Sequence, residues 1–284
     1  MITQELQTKI DRSIRLLQSV QKGYNGEIEV AYSGGKDSDV ILQLAKEAGI
    51  RYRAIYKNTT IDPPGTIAHV KRMGVEIRRP KRSFFQIIAQ KGIPNRFNRF
   101  CCSELKEYKI LDKCIIGVRK EESAKRNTLY NEPTACHWYG KKTEESHVEH
   151  IYPILDWTSE DVLAFIMDRK IQLAPIYYES GGGQITIQKR LGCMGCPLAS
   201  NRQRLAFFKE RPRMVRCYIR AAQHFLDEHP HTKTAKRNDN AYEYFARDIF
   251  YPSEKDWQMA KNSLFGKPNW KDFLEQVFGI DLTI

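Results

Sequence analysis

One short glycine-rich stretch, Ser33-Gly34-Gly35-Lys36-Asp37-Ser38, constrains the fold of this chain more than any other. The apolar run 28–32 before it predicts a buried strand, and apolar residues at helical spacing after it predict a helix over 38–48. Where a strand meets a helix, unpaired backbone N–H groups and the positive end of the helix dipole attract anions, and glycine lets a phosphate approach closely. The stretch therefore predicts a phosphate-binding loop, to which Ser33, Lys36 and Ser38 add donors.

The spacing excludes two common phosphate loops. The Walker pattern G-x-x-x-x-G-K-[ST] and the dinucleotide pattern G-x-G-x-x-G are both absent. The remaining alternative is a surface turn that is glycine-rich by chance, and the strand and helix on either side argue against it.

Strand and helix patterns alternate after the loop, which predicts an α/β fold with a doubly wound, mostly parallel twisted sheet. Further strands are expected at 51–57, 75–79 and 114–118, and helices at 3–22, 64–73, 84–90 and 104–111. Residues 127–149 show no periodicity and are expected to be an irregular insertion. A capping box at Thr158 predicts a helix start, and Gly181 to Gly183 a turn.

The C-terminal part of the chain predicts a helical extension. It is expected to be helical and basic to about residue 228, a loop over 229–240, and short helices to the end. The predicted domains are an N-terminal helix (1–26), a nucleotide-binding domain with the cysteines (27–200) and a basic helical extension (201–284). The N-terminal helix is expected to pack on the sheet or on a second copy of the chain, which would form a homodimer.

The charge of the chain predicts an anionic partner. The 284 residues carry a formal charge of +12, and basic residues concentrate in segments 71–82 and 201–220. We expect nucleic acid as the partner, the alternative being a solvated basic face. No apolar run approaches the length of a membrane span and no signal-peptide pattern begins the chain, so a cytoplasmic protein without a membrane partner is expected.

Four of the seven cysteines form the second strong pattern, the pair Cys101-Cys102 and the pair Cys193-x-x-Cys196. Four thiolates are the usual ligands of a [4Fe–4S] cluster or of a structural zinc ion. Adjacent cysteines suit a cluster better, because each thiolate can bind a separate iron. Zinc and unligated thiols remain alternatives. Cys114 and Cys217 are expected in the core, and Cys136 is either a sulfur carrier or an ordinary loop cysteine.

Several motifs together resemble those of the phosphoadenylylsulfate (PAPS) reductase family, within the PP-loop ATP pyrophosphatases of the adenine nucleotide alpha-hydrolase-like fold. The phosphate loop, the Arg99-Phe100-Cys101-Cys102 segment and Gly117-Val118-Arg119-x-x-Glu122-Ser123-x-x-Arg126 are similar to family motifs. Tyr152-Pro153-Ile154-Leu155-Asp156-Trp157 resembles the start of a family helix, and Cys193-x-x-Cys196 completes the pattern of the iron–sulfur branch. The resemblance covers about residues 28–200.

The resemblance implies ATP and Mg²⁺ as ligands and a [4Fe–4S] cluster at Cys101, Cys102, Cys193 and Cys196. The residues expected to bind nucleotide are Ser33, Gly34, Gly35, Lys36, Asp37, Ser38, Lys57, Thr59, Gly117 and Arg119. Those expected to act in catalysis are Lys36, Asp37, Arg119 and Arg126. For the two arginines the alternative is an ordinary ion pair.

Family reductases carry a nucleophilic cysteine in a C-terminal motif, and no cysteine follows Cys217 here. Relatives without that motif include the ATP pyrophosphatase components of DNA phosphorothioation systems, which are paired with a cysteine desulfurase. The leading hypothesis is therefore an ATP pyrophosphatase that adenylates an acceptor for sulfur transfer, DNA rather than tRNA. The alternatives are tRNA thiolation, a sulfonucleotide reductase that uses Cys136 or a partner's thiol, and a nucleotide-binding subunit without turnover.

Overall fold

The computed structural model of the chain describes residues 2–178, 185–186, 191–251, 253–262 and 268–284. The chain forms two compact units. The first comprises Met1–Asn58, Asp62–Arg79 and Leu105–Gly192, and the second comprises Thr59–Ile61, Pro80–Glu104 and Cys193–Ile284. This partition differs from the predicted segments 1–26, 27–200 and 201–284, whose limits as domains stay a prediction.

A six-stranded sheet lies at the centre of the first unit and confirms the predicted α/β fold. Its strands are β1 (Ile28–Ala31), β2 (Tyr52–Lys57), β3 (Glu76–Arg78), β4 (Lys113–Ile115), β5 (Thr134–Trp138) and β6 (His147–Ile151). They lie in the order β3-β2-β1-β4-β6-β5, and all neighbours pair in parallel except β5, which is antiparallel to β6. The winding direction reverses between β1 and β4. Open α/β sheets bind ligands at the carboxyl ends of the strands at such a switch point.

The helices of the described residues follow in chain order. They are α1 (Gln4–Lys22), α2 (Lys36–Glu47), α3 (Thr66–Arg72), α4 (Phe84–Lys91), α5 (Phe100–Leu105), α6 (Ala124–Leu129), α7 (Ser159–Asp168), α8 (Asn201–Glu210), α9 (Pro212–Glu228), α10 (Lys233–Arg237), α11 (Ala241–Phe250), α12 (Glu254–Lys261) and α13 (Trp270–Phe278). No helix in this described part of the chain is both long and apolar enough to span a membrane.

The local patterns of the first unit predict most of its elements. Helix α1 forms as expected, with Thr3 accepting a hydrogen bond from the Leu6 backbone and with Leu6, Ile10 and Leu17 buried. Helix α7 begins at the predicted capping box, in which Thr158 and Asp161 bond each other's backbone. The predicted turn at 181–183 lies outside the described residues.

The hairpin of β5 and β6 corrects the prediction that residues 127–149 are an irregular insertion. Strand β5 lies at the edge of the sheet, and most of its side chains are exposed. An edge strand with two solvated faces shows no apolar alternation, which is the signal that predicts strands. In the structure, the pairing of residues 134–138 with β6 is what identifies them as a strand.

The core of the second unit is aromatic and helical. Phe208 of α8 lies 5.2 Å from the ring of Tyr218 in α9 and 5.3 Å from that of Phe245 in α11, and Phe278 of α13 packs on the same group. Two predictions were wrong here. The helix expected at 104–111 is instead Phe100–Leu105, and the loop expected over 229–240 contains α10.

Candidate nucleotide and cysteine sites

The predicted phosphate loop connects β1 to the first turn of α2. Gly34 adopts φ +78°, a left-handed conformation that favours glycine, and a Cβ there would lie 3.2 Å from Thr66 Cγ2. Gly35 caps α2, so the helix begins at Lys36, two residues earlier than expected. The loop thus lies at the N-terminus of α2, where backbone N–H groups without a helical partner attract anions, and its binding of phosphate stays a prediction.

Tyr177 holds the loop from a distant part of the first unit. Its buried hydroxyl accepts hydrogen bonds from the backbone N–H of Lys36 at 3.2 Å and of Leu191 at 3.3 Å. The Gly35 N–H bonds Ser33 Oγ at 3.4 Å, and Ser38 Oγ donates to the Gly35 carbonyl at 2.7 Å. Nothing in the sequence around Tyr177 indicates its contact with the loop, so this residue was not predicted.

Two cations flank Asp37. Lys36 Nζ lies 2.8 Å from Asp37 Oδ2, and Arg119 Nε lies 2.8 Å from Asp37 Oδ1. Arg119 is 3% exposed and follows β4, the strand beside β1 at the switch point. The structure therefore brings Lys36, Asp37 and Arg119 together beside the loop.

Glu121 and the start of α7 complete this charged group. Arg119 Nη1 donates to Glu121 Oε2 at 2.6 Å, and Ser159 Oγ donates to the same oxygen at 2.9 Å. Desolvation raises the pKa of Glu121, but the hydrogen bonds from Ser159 and Arg119 outweigh it and leave the pKa lowered. Glu121 is a further residue that the sequence analysis missed.

Gly117 lets the segment after β4 approach α2. A Cβ at Gly117 would lie 3.0 Å from the Asp37 carbonyl oxygen and 3.2 Å from its carbon. Any larger residue at position 117 would therefore push against the backbone of Asp37. The structure gives Gly117 a packing role beside Asp37.

Lys57 and Arg126 make their contacts elsewhere in the first unit. Lys57 Nζ donates to the Tyr108 carbonyl at 2.7 Å and lies 3.2 Å from buried Glu29. Arg126 of α6 forms an ion pair with Glu122, one helical turn away. Their roles in nucleotide binding and catalysis stay predictions.

A buried network that the sequence analysis missed lies on the N-terminal turns of α2 and on α3. Asp39 and His69 are 0% exposed, and His69 Nε2 lies 3.0 Å from Asp39 Oδ1 and 2.8 Å from the Tyr32 hydroxyl. The Tyr32 hydroxyl also donates to Asp39. Arg72 donates to His69 Nδ1 at 2.8 Å, which assigns the ring proton to Nε2. Burial raises the pKa of Asp39 despite the hydrogen bonds from His69 and Tyr32.

The four predicted ligand cysteines lie together in the second unit. The pKa of the buried Cys101 thiol is raised, first by its hydrogen bond with Cys102, then by burial, and then by Cys102, Cys193 and Cys196 nearby. Thr59, predicted to bind nucleotide, is buried in this unit and accepts a hydrogen bond from Cys193 Sγ at 3.6 Å.

The arrangement of the four thiols bears on the kind of metal they could hold. Within the described ranges, no three His, Cys, Asp or Glu side chains are positioned to hold one metal ion. The electrostatic influence of three thiols on Cys101 nevertheless shows that all four share one neighbourhood. Four thiols in one neighbourhood are a donor set that both a [4Fe–4S] cluster and a zinc ion can use.

The other cysteines have separate environments. Cys114 is buried in β4, as expected, whereas Cys217 on α9 is exposed, so its predicted core position was wrong. Cys136 is exposed on β5. Helix α9 has one apolar face, which is buried and contains Val215, Tyr218 and Ile219. Cys217 lies on the opposite, exposed face.

Comparison with known proteins identifies the family of a large part of the chain. The model of the phosphoadenosine phosphosulfate reductase domain matches residues 27–199. An uncharacterised protein of Methanocaldococcus jannaschii is 27% identical over 78% of this chain and 54% of its own length. The chain spans about half the length of the first curated relatives it matches.

Two solved structures are distantly similar. A phosphoadenylyl-sulfate reductase from Candida auris, in complex with phosphate, has a TM-score of 0.42 and 14% identity over 64% of this chain and 96% of its own. A U34-tRNA thiolase from Methanococcus maripaludis, with its [4Fe–4S] cluster, has a TM-score of 0.37 and 16% identity over 80% of this chain and 82% of its own.

Proposed function

This chain belongs to the phosphoadenosine phosphosulfate reductase domain family, and we propose that it is an ATP pyrophosphatase that adenylates an acceptor for sulfur transfer. The acceptor we propose is the nucleic-acid backbone, as in DNA phosphorothioate modification. The observation that carries the proposal is the pair of cations, Lys36 and Arg119, on the two oxygens of Asp37 at the end of a phosphate loop.

In this proposal the loop binds the polyphosphate of ATP. The N-terminus of α2 faces the anion, and Lys36 turns from Asp37 to a phosphate oxygen. An acceptor oxygen attacks the α-phosphorus, the bond to the bridging oxygen breaks, and pyrophosphate leaves with the electron pair. Arg119 is fixed by Asp37 and Glu121, so it can stabilise the developing charge without reorganising.

Asp37 is the residue we propose to hold Mg²⁺ together with the nucleotide. Protein sites for Mg²⁺ commonly supply one or two carboxylates and leave the other positions to phosphates and water, and Asp37 beside the loop fits that donor set. The ion would neutralise negative charge on the phosphates.

We further propose that Cys101, Cys102, Cys193 and Cys196 hold a [4Fe–4S] cluster. Four thiols in one neighbourhood match the donor set of such a cluster. Bound iron would supply a positive charge that favours the thiolates.

The proposed partners rest on the family resemblance and on the charge of the chain. Sulfur is expected to come from a cysteine desulfurase, and the excess of 46 basic over 34 acidic residues favours a polyanionic acceptor. We propose DNA rather than tRNA as that acceptor. A homodimer through α1 stays a prediction.

The test of the function is a product assay on protein purified without oxygen. The protein is incubated with Mg²⁺-ATP, alone, with duplex or single-stranded DNA, or with tRNA, and AMP and pyrophosphate are quantified. We expect pyrophosphate release that DNA stimulates and that Lys36→Ala abolishes. The matched control is Lys46→Ala, an exposed lysine at the far end of α2. Full turnover in Lys36→Ala would contradict the site assignment, and stimulation by tRNA alone would change the acceptor.

A sulfonucleotide reductase is the second candidate, because Cys136 presents an exposed thiol in the same unit as the phosphate loop. Adenylylsulfate and its 3′-phosphate are therefore assayed in parallel with a thiol reductant. Sulfite release that depends on Cys136, without cleavage of ATP, would support the reductase and contradict the leading proposal.

A further inference from the structure

Two segments of the second unit carry the four clustered cysteines, and we call residues 95–102 and 193–202 the two cysteine arms. The first arm presents Phe97, whose side chain is 100% exposed. A hydrogen-bonded turn imposes this position: Asn95 Oδ1 accepts the backbone N–H of both Phe97 and Asn98 at 2.9 Å, and Asn95 N–H donates to the Asn98 carbonyl at 3.2 Å. The turn thus holds a large apolar ring in water.

Arg96 joins the first arm to the second. Its Nε donates to the Pro197 carbonyl at 3.3 Å and its Nη2 to the Ala199 carbonyl at 3.5 Å. Leu198, between these two acceptors, is 53% exposed. Because Arg96 fixes one arm against the other, Phe97 and Leu198 are exposed apolar side chains on neighbouring segments, each within five residues of a cysteine pair.

Each arm also carries an arginine that has no counter-ion among the residues that the structure describes. Across the described ranges, the exposed guanidinium groups of Arg99 and Arg202 form neither an ion pair nor a hydrogen bond. Other arginines of the same unit do have counter-ions: Arg204 pairs with Asp248, and Arg82 pairs with Glu104. The arms therefore combine exposed apolar surface with uncompensated positive charge.

The kind of partner follows from this combination. An exposed ring and exposed arginines on two joined segments match a ligand with flat apolar faces joined by phosphates, which is a nucleic-acid strand with unstacked bases. A protein partner would match the apolar side chains, but the two unpaired arginines favour the polyanion.

We propose that the two cysteine arms bind single-stranded or locally unstacked nucleic acid, with Phe97 stacking on a base and with Arg99 and Arg202 binding the flanking phosphates. The inference rests on the proposed function, because it names how the acceptor is bound. In this proposal the bound nucleic-acid strand lies beside the proposed cluster, and Phe97 is one of the residues that bind it.

The experiment separates stacking from charge by measuring affinity without ATP. A fluorescent 12-nucleotide single strand containing 2-aminopurine is titrated with the full chain at several salt concentrations. Phe97→Ala is expected to weaken binding about 5- to 150-fold, the range for one stacked base, and to leave the slope of log K against log salt unchanged. Arg99→Ala is expected to reduce that slope by about 0.7. Phe97→Trp should retain affinity and quench 2-aminopurine.

Matched controls are available in the same unit. Met259→Ala removes an apolar side chain that is 60% exposed on α12, and Lys255→Ala removes an exposed cation from that helix. Both are expected to leave the affinity and the salt slope unchanged. Circular dichroism checks that the variants fold.

An unchanged affinity in Phe97→Ala would overturn the proposal and leave the arms as a surface for a protein partner. Loss of affinity in Met259→Ala to the same degree would also overturn it, since the effect would not be specific to the arms. Because no ATP is present, this failure is distinguishable from failure of the proposed function, which is read from pyrophosphate release.

Discussion

Arg119 Nε lies 2.8 Å from Asp37 Oδ1, although the two residues are 82 positions apart in the chain. The contact joins the segment after β4 to the first turn of α2, and so fixes a guanidinium beside the phosphate loop. A second hydrogen bond from Arg119 to Glu121 prevents the side chain from rotating away. Arg119 is therefore held by two carboxylates, whereas Asp37 is the one acidic partner of Lys36 among the described residues.

We therefore predict that Arg119→Ala lowers the rate constant of pyrophosphate release by about 10²- to 10³-fold, as is typical when a preorganised charge-stabilising donor is removed. Arg119→Lys should recover only part of the loss, because an ammonium cannot bridge both carboxylates in the same geometry. Single-turnover kinetics with Mg²⁺-ATP measure the effect. Arg12→Ala, an exposed arginine on α1, is the control, and equal rates in Arg119→Ala and Arg12→Ala would exclude a catalytic role for Arg119.

Gly117→Ala is predicted to destabilise the first unit and weaken nucleotide binding together. The added Cβ would lie 3.0 Å from a backbone oxygen of Asp37, and backbone relaxation of this kind costs about 1–3 kcal/mol in the free energy of unfolding. Thermal unfolding with and without ATP measures both effects. Gly23→Ala is the control, since the Cβ there meets its nearest atom at 3.9 Å. If Gly117→Ala is as stable as the wild type and binds ATP normally, the close approach of Gly117 to Asp37 is not needed for either property.

Cys193→Ser is predicted to abolish a reconstituted iron–sulfur centre. Its thiol lies with those of Cys101, Cys102 and Cys196, and loss of one thiolate leaves one iron of a four-iron cluster without its ligand. Iron, acid-labile sulfide and visible absorbance are measured after anaerobic reconstitution. Cys217→Ser is the control, because that exposed thiol lies on α9. Zinc without sulfide in the purified protein would contradict the cluster and support the alternative.

His150 is predicted to make stability depend on pH. Burial, His137 and Lys57 lower the pKa of His150 to about 4, below its ordinary value of 6.5. The unfolded chain therefore takes up this proton first as the pH falls, so the stabilisation is present above pH 6.5 and is lost progressively between about 6.5 and about 4. The loss is expected to be about 3 kcal/mol.

The measurement is chemical denaturation of the wild type and His150→Gln between pH 4 and pH 8. Glutamine keeps a hydrogen-bonding group near the hydroxyls of Tyr139 and Tyr152, which lie 3.3 Å from the His150 nitrogens. The variant should show a shallower fall in stability below pH 6.5. His231→Gln, at an exposed position, should follow the wild type, and the same pH profile in His150→Gln would exclude His150 as the cause.

The local pattern of the sequence determined the glycine loop, the strand before it, the helix after it and the two cysteine pairs, because each signal lies within a few consecutive residues. Apolar runs, helical spacing and glycine turns depend on neighbours in the chain, and they predicted β1, α1 and α2 to within two residues and the start of α7.

Only the tertiary structure decided which distant residues meet. It placed Tyr177 on the loop, buried His69 against Asp39 and brought Thr59 to Cys193. It also made 134–138 an edge strand, whose solvated faces carry no periodic signal. The physical reason is that such contacts arise from packing between elements far apart in sequence. A buried polar side chain leaves no local pattern until its partner is known.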